Sequence, residues 1–183
     1  MSVPKELVGA WRRSGILVDG NRVVDYSDVI WLQTPEVFAD IRLPIDPNLV
    51  PQPGVAVPDF FYDSFAFAGT TDWETPTITW NHALDSNPDS GADSNRIEWA
   101  RGVALEHGVA PSGDVDVPFT EEWLRMTDDD VTWSAVLESD FARVEVGNWA
   151  IEVRDERKSG GKFQAERFEA IRGDWKSIGT VQL

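Results

Sequence analysis

The sequence contains no cysteine, and this excludes several kinds of chemistry at once. Without thiols the chain cannot form disulfides, use a thiolate nucleophile, hold an iron–sulfur cluster or build a cysteine zinc site. No apolar run approaches the roughly 18 residues that a membrane-spanning helix needs. The first residues also lack the apolar core of a secretory signal, so we expect no such leader. A reduced cytoplasm is the default location for such a chain, and we predict a cytoplasmic protein.

Positive charge is scarce as well. The 183 residues include 16 basic and 32 acidic side chains, which gives a formal net charge of −16. A field of this sign repels nucleic acid phosphates and anionic membranes, so we exclude both as main partners. The acidic composition is typical of a soluble, self-repelling surface, which we favour, and a source living at raised salt is the alternative. The sequence is also compatible with a homodimer.

Residues that hold metals and cofactors are few. The two histidines, His82 and His107, show none of the zinc spacings, and the chain has neither a glycine-rich phosphate loop nor a G-x-S-x-G elbow. The acidic stretch 85–96 begins with the spacing of an EF-hand loop. Ser90, however, occupies the position of the required glycine, and Arg96 that of the bidentate glutamate. We predict no metal and no cofactor, although a haem held by one histidine stays open.

Alternation of apolar and polar residues with period two is abundant and predicts an all-β protein. Turn dipeptides separate the alternating runs, Asp19-Gly20 and Gly147-Asn148 among them. The last runs, joined at residues 139–140 and 147–148, predict an antiparallel meander. We predict strands at 8–18, 22–33, 36–43, 63–69, 75–84, 96–107, 116–126, 131–138, 141–147, 149–155, 162–172 and 177–182. The run 120–125 also begins like a capped helical turn.

A chain of this length forms one core more readily than two, so we predict one β-barrel domain over residues 1–183. The hairpin links indicate a barrel or a sandwich, and we predict a single antiparallel β-barrel of about ten strands with little helix, because closure removes exposed strand edges. Nine tryptophans are spread along the chain. They predict either a thick aromatic core or an aromatic-lined cavity.

Two motifs resemble known families. Gly9-Ala10-Trp11 resembles the G-x-W signature of the calycin superfamily, which includes the lipocalins. This resemblance implies a barrel that binds small molecules, with Trp11 closing one end under an arginine of the last strand, Arg167 or Arg172. Segments 29–33 (VIWLQ) and 38–42 (FADIR) are similar to a motif of the HRI1-like family, itself calycin-like.

Candidate site residues come from a predicted hairpin between segments 75–84 and 97–107. If Leu84 faces Ile97, His82 lies opposite Trp99, and Trp80 lies opposite Arg101. One face of this hairpin then carries both sets of side chains: Ile78, Trp80, His82 and Leu84 on the first strand, and Ile97, Trp99, Arg101, Leu105 and His107 on the second. Such a face inside a barrel would bind a carboxylate or polarise a carbonyl, with His82 as the acid or base. The alternative is a histidine satisfied within the core, and a one-residue slip would turn these side chains outward.

Two further features of the sequence each have two interpretations. Asp40 and Arg42 lie two residues apart and predict a structural ion pair, while Arg42 inside a barrel could instead anchor an anionic ligand. The proline-rich stretch 44–60 predicts a surface loop, and the aromatic cluster after it, Phe60-Phe61-Tyr62 with Phe65 and Phe67, predicts either a lid or a core strap.

The leading hypothesis is a lipocalin-like barrel that binds a small apolar or aromatic molecule. Its predicted ligand-binding residues are Trp31, Arg42, Trp80, Trp99, Arg101 and His107. The second hypothesis is a cofactor-free enzyme of the isomerase, cyclase or hydratase/lyase type. It would use His82 as the catalytic acid or base, with Arg42 or Arg101 as the partner of an oxyanion. The third is a filled barrel whose acidic surface binds a basic partner.

Overall fold

The computed structural model describes residues 2–46, 64–87, 91–100, 102–112 and 115–183, and strands dominate them. The N-terminal strands are β1 (Gly9–Val18), β2 (Asn21–Val23), β3 (Ser27–Gln33), β4 (Val37–Pro44), β5 (Phe65–Glu74), β6 (Thr77–Asp85), β7 (Asp93–Ala100), β8 (Val103–Ser112) and β9 (Val115–Arg125). The C-terminal strands are β10 (Trp133–Leu137), β11 (Phe141–Val146), β12 (Trp149–Asp155), β13 (Phe163–Ile171) and β14 (Asp174–Gln182). A 3-10 turn at Arg157–Ser159 separates β12 from β13. Within the described stretches, no helix has the length and apolar character that crossing a bilayer requires.

Eight antiparallel strands close into a barrel. Strands β1 and β3 to β9 pair in the order β1-β3-β4-β5-β6-β7-β8-β9, and β9 pairs back to β1. Strand β2 pairs only with β1 and lies outside this ring. The predicted all-β, antiparallel barrel is therefore confirmed, and residues 120–125 belong to strand β9 rather than to a helical turn.

The predicted meander forms a sheet of its own. Strands β10 to β14 pair consecutively and antiparallel, with register pairs such as Val144↔Ile151 and Val153↔Ala165. Gly147 turns the chain between β11 and β12 with a φ of 59°, a conformation that favours glycine. Alternation correctly predicted these strands but could not show that they leave the barrel, because the pattern records only that one face is buried.

The five-stranded sheet packs on the outer wall of the barrel, and this contact forms the larger apolar core. Ile30, Leu32 and Ile41 of the barrel wall contact Val144 and Val153 of the sheet within one buried cluster. On β3, Val29 and Trp31 point instead into the barrel. Both faces of β3 are covered, and its burial is nearly continuous for that reason.

The hairpin register differs from the prediction. Strand β6 pairs with β7 through Ile78↔Asn95 and Trp80↔Asp93, so the proposed pairing of Leu84 with Ile97 is wrong. The predicted strand 96–107 is wrong as well, because the chain turns at Gly102, whose φ is +81°, and divides into β7 and β8. Trp80 therefore does not lie opposite residue 101, nor His82 opposite Trp99.

A β-bulge explains a second difference. Ala68 pairs with Leu84 and Gly69 pairs with His82, which leaves Ala83 as an extra residue in β6. Leu84 consequently packs in the outer core, while Ile78 and Trp80 face the barrel interior. The predicted common face of Ile78, Trp80, His82 and Leu84 is thus wrong at Leu84.

Some predictions fall outside the described residues. They include Arg101, most of the proline-rich stretch, and the aromatic residues Phe60, Phe61 and Tyr62 of the predicted lid or strap. Phe65 and Phe67, the later members of that cluster, belong to strand β5, and Phe67 is part of the barrel core.

Candidate functional site

The interior of the barrel is walled by indole rings. Trp31 lies at the centre of this wall, stacked on Trp11 with ring centroids 5.8 Å apart. Trp80 and Trp123 meet Trp31 edge-on, at 5.5 and 5.6 Å and interplanar angles of 82° and 71°. These side chains alternate with outward-facing neighbours on their strands, so the period-two pattern of the sequence delivers them all to one interior.

Trp11 lies next to Trp31 at the closed end of the barrel, and two contacts hold its ring in place. Its indole Nε1 donates to the carbonyl oxygen of Leu7 at 2.9 Å, and the Arg125 guanidinium lies over its ring, 5.6 Å from the centroid. The expected arginine over Trp11 is therefore present, but Arg125 of β9 supplies it. Arg167 or Arg172 was the wrong choice, because β9 and not β13 is the last strand of the barrel.

Charged residues are buried inside the same barrel. Arg13 forms a bidentate ion pair with Asp25, with both distances 2.8 Å, and its Nη1 donates to Glu121 Oε1 at 2.6 Å. Arg42 donates from Nε to Asp40 Oδ1 at 3.2 Å and from Nη1 to the same Glu121 oxygen at 3.3 Å. The Asp40–Arg42 pair predicted from the sequence exists, and it forms part of a larger interior network.

Glu106 is the most unusual member of the interior. Asn95 Nδ2 donates to its Oε1 at 2.7 Å, and Trp123 Nε1 donates to its Oε2 at 2.9 Å. Burial raises the pKa of Glu106 well above its usual range, and the neighbouring carboxylates of Glu121 and Asp93 add to this rise. Burial also raises the pKa of Asp40 to about 6, against the opposing effect of Arg42.

A cavity of about 20 Å³ lies between the aromatic wall and the charged residues. Its lining consists of five aromatic and four ionisable side chains, namely Trp31, Phe38, Phe67, Trp80 and Trp123 with Asp40, Arg42, Asp93 and Glu106. The space is enough for one or two water molecules. Asp93 is exposed to solvent, which places the outer end of the cavity at the beginning of β7.

The structure brings three of the predicted site residues together at this cavity: Trp31, Arg42 and Trp80. Trp99 lies near the Trp11 end, 6.0 Å from that ring, and is 44% exposed. His107 neighbours the inward-facing Glu106 along β8 and therefore lies on the outer face, where its Nδ1 is 3.0 Å from Thr120 Oγ1. Its predicted position on one face with Ile97 and Trp99 is wrong, because the break at Gly102 changes which residues of β8 point inward.

The ring of Phe67 lies between His82 and the cavity. Its imidazole stacks on Phe67, with centroids 4.3 Å apart, and its Nδ1 is 2.5 Å from Asp85 Oδ2. The bulge at Ala83 allows this pair, since it brings residues three apart in a strand to the same side. Asp85 also accepts a hydrogen bond from the backbone N–H of Asn87. In the described part of stretch 85–96, Asp85 thus contacts both the His82 ring and the backbone of Asn87.

Metal binding finds no support in the side chains that the structure describes. They include no group of three or more histidine, aspartate or glutamate side chains arranged to hold a metal ion.

Asn95, Glu106 and Glu121 are among the interior residues that the sequence reasoning missed. For Glu121 a signal was present, because period-two alternation along β9 places it on the same face as Trp123. For Glu106 no such signal existed, because the correct face of β8 depends on the break at Gly102. A glutamate next to a histidine also indicates an exposed position more often than a buried one.

Comparison with known proteins adds a family but no activity. The model of one protein family, described as Protein HRI1, matches residues 10–181. No curated protein and no solved structure is significantly similar to the chain.

Proposed function

The chain belongs to the HRI1 family, and from its barrel interior we propose that it is a small-molecule-binding protein whose ligand enters the cavity between Trp31, Trp80 and Glu106. The observation that carries this proposal is the burial of charged side chains beside a cavity within an aromatic wall. A barrel that served only as a scaffold would be at least as stable with apolar side chains at these positions.

The cost of burying charge supports the proposal. Removing an ion from water costs several kcal/mol, and a buried ion pair is on average no more stabilising than well-packed apolar residues of the same volume. Arg13, Arg42, Asp40, Glu106 and Glu121 are all nearly inaccessible to solvent. Such departures from an apolar core are found mainly at functional sites, where polar groups fix the orientation of a ligand.

The size of the cavity limits which part of the ligand enters. A space of about 20 Å³ admits a single small polar group. The apolar or aromatic body of the ligand would lie outward of that group, against the rings of Trp80 and Phe67. Flat rings and apolar chains both pack well against indole and phenyl faces.

We further infer that the barrel is calycin-like. The support is its closed antiparallel ring of eight strands, in which an arginine of the last barrel strand lies over a tryptophan of the first. A guanidinium stacks favourably on an indole ring, so this contact has a physical role in closing the barrel end.

Catalysis without a cofactor is the second candidate, and the raised pKa of Glu106 favours it. A carboxyl group whose pKa is raised can act as a general acid, and Arg42 beside it could stabilise a developing oxyanion. Glu106 lines the cavity and takes this role more directly than His82, which Phe67 separates from it. The reaction class would be isomerisation, cyclisation or hydration.

A fragment screen tests the binding proposal. Ligand-observed NMR with indole, 2-phenylethanol and cyclohexanol should detect binding to the wild-type protein. Trp80→Leu should weaken it at least fivefold, because the ring lines the cavity. The matched control is Trp175→Leu, since Trp175 is partly exposed on the C-terminal sheet and far from the barrel interior in sequence and topology. Equal binding to both variants, or no binding to the wild-type protein, would contradict the proposal.

A further inference from the structure

The barrel interior holds more acidic than basic side chains. Among the described residues, the carboxyl groups of Asp40, Glu106 and Glu121 are buried there with two guanidinium groups, those of Arg13 and Arg42. Arg13 is engaged by Asp25 and Glu121, and Arg42 by Asp40 and Glu121. Among the described residues, no cationic side chain forms an ion pair with Glu106, whose two oxygens accept from the neutral groups of Asn95 and Trp123.

Two glutamates face each other across neighbouring strands. Glu106 of β8 and Glu121 of β9 are direct partners in the ladder, and both point into the barrel. Like charges at such a position are destabilising unless something compensates them. Glu121 is almost fully buried, and its Oε2 has no hydrogen-bond partner. An acceptor is thus unused beside a carboxylate that lacks a counter-ion.

The aromatic wall next to these carboxylates suits a cation. Trp80 and Trp123 stand nearly perpendicular to Trp31, so three indole rings surround one side of the cavity. The faces of indole rings attract cations, with an energy of about 2 kcal/mol or more where water is excluded. An indole wall beside Glu106, a carboxyl group that has no ion-pair partner among the described residues, offers both kinds of attraction at once.

On the binding function proposed above, we propose that the ligand is a primary amine whose ammonium group enters the cavity. The carboxylates of Glu106 and Asp40 accept hydrogen bonds from its N–H groups, while the rings of Trp31, Trp80 and Trp123 surround it. An ammonium group has three donors and is close to a water molecule in size, so it fits the space that the cavity offers. A quaternary ammonium group is too large for this space and has no donor.

Proton release provides an independent readout. Burial and the neighbouring carboxylates raise the pKa of Glu106, so this group binds a proton more readily than an exposed glutamate does. A bound ammonium ion favours the ionised carboxylate and therefore expels that proton. Binding of an amine should accordingly release protons, whereas binding of a neutral molecule should not.

The test compares three probes of matched shape: 2-phenylethylamine, 2-phenylethanol and 3-phenylpropanoate. Isothermal titration calorimetry near pH 7.5, in two buffers of different ionisation enthalpy, gives both the affinity and the proton count. We expect the amine to bind at least tenfold more tightly than the alcohol and to release protons. We expect no detectable binding of the carboxylate, and none of tetramethylammonium.

Matched variants test whether the amine binds at the cavity. Glu106→Gln should lower the affinity for the amine at least tenfold and abolish proton release, while the affinity for the alcohol should fall much less. Glu122→Gln is the control, because Glu122 is the neighbour of Glu121 on the outer face, where it pairs with Arg22. If Glu106→Gln fails to fold, Asp40→Asn provides the second test, with a loss of amine affinity in the same direction.

The outcomes separate this inference from the proposed function. Equal affinities for the amine and the alcohol would overturn the amine inference and leave small-molecule binding in place. If none of the three phenyl probes binds, both the amine inference and the proposed binding function are overturned. Tighter binding of the amine that Glu106→Gln does not weaken would also overturn the inference, because the cation would then bind elsewhere on this acidic protein.

Discussion

Arg125 combines several contacts at the closed end of the barrel. Its guanidinium lies over the Trp11 ring, and its Nη2 donates to the carbonyl oxygen of Val8 at 2.7 Å. Lysine keeps the charge but has neither the planar face nor the forked donors. We expect Arg125→Lys to lower the free energy of unfolding by about 1–2 kcal/mol, measured by urea denaturation.

Arg154→Lys is the control for Arg125→Lys. Arg154 also lies over an aromatic ring, that of Phe141, but its side chain is about half exposed on the C-terminal sheet. This substitution should change the free energy of unfolding by less than about 0.5 kcal/mol. Equal losses in the two variants would show that closure of the barrel end does not depend on Arg125.

Asp40 makes the stability of the protein depend on pH. Burial raises its pKa to about 6, although Arg42 and Arg13 act against this rise and Glu121 adds to it. The folded protein therefore binds this proton at a higher pH than the unfolded chain does, and stability increases as pH falls from about 7.5 to about 5. The expected gain from Asp40 is roughly 1 kcal/mol.

Asp40→Asn should remove that gain, because asparagine does not titrate. Denaturant unfolding at several pH values measures the slope in both proteins, and Asp140→Asn, in the exposed turn before β11, serves as the control with the wild-type slope. A slope that is unchanged in Asp40→Asn would show that another group causes the pH dependence.

The strands and the candidate site differ in how far the sequence predicts them. Alternation predicted most strands to within a few residues, because most of the strands have at least one buried face. It also supplied Trp31, Arg42 and Trp80 as interior residues. The outward face of Leu84 and the inward face of β8 were beyond it, because they depend on the bulge at Ala83 and the turn at Gly102. Neither break interrupts the apolar pattern.

Gly69 makes the bulge possible. A Cβ at this position would lie 1.9 Å from the backbone oxygen of Asn81 and 2.9 Å from the backbone nitrogen of Ala83, neither of which can move without moving the strand. We expect Gly69→Ala to lower the free energy of unfolding by about 3 kcal/mol or more. It should also shift the NMR signals of the His82 ring, which the bulge positions against Phe67.

Gly102→Ala is the comparison for Gly69→Ala. Gly102 has a positive φ but open space around it, so alanine there costs only the left-handed backbone conformation, about 1–2 kcal/mol. A smaller loss at position 69 than at position 102 would mean that the two strands separate easily. The bulge would then not be a fixed feature of the barrel.

At the scale of the whole molecule, the barrel and the five-stranded sheet share one apolar core, in which Val144 is completely buried. The sequence predicts a single domain, and this shared core is the physical reason to expect one cooperative unit. Val144→Ala should lower stability by about 2 kcal/mol, from lost apolar burial and a small cavity. Native-state hydrogen exchange should then show the same loss for amides of β3 and β4 as for amides of β11 and β12. Val136→Ala, on the exposed face of the same sheet, should have little effect. Faster exchange confined to the sheet would reveal two units that unfold separately.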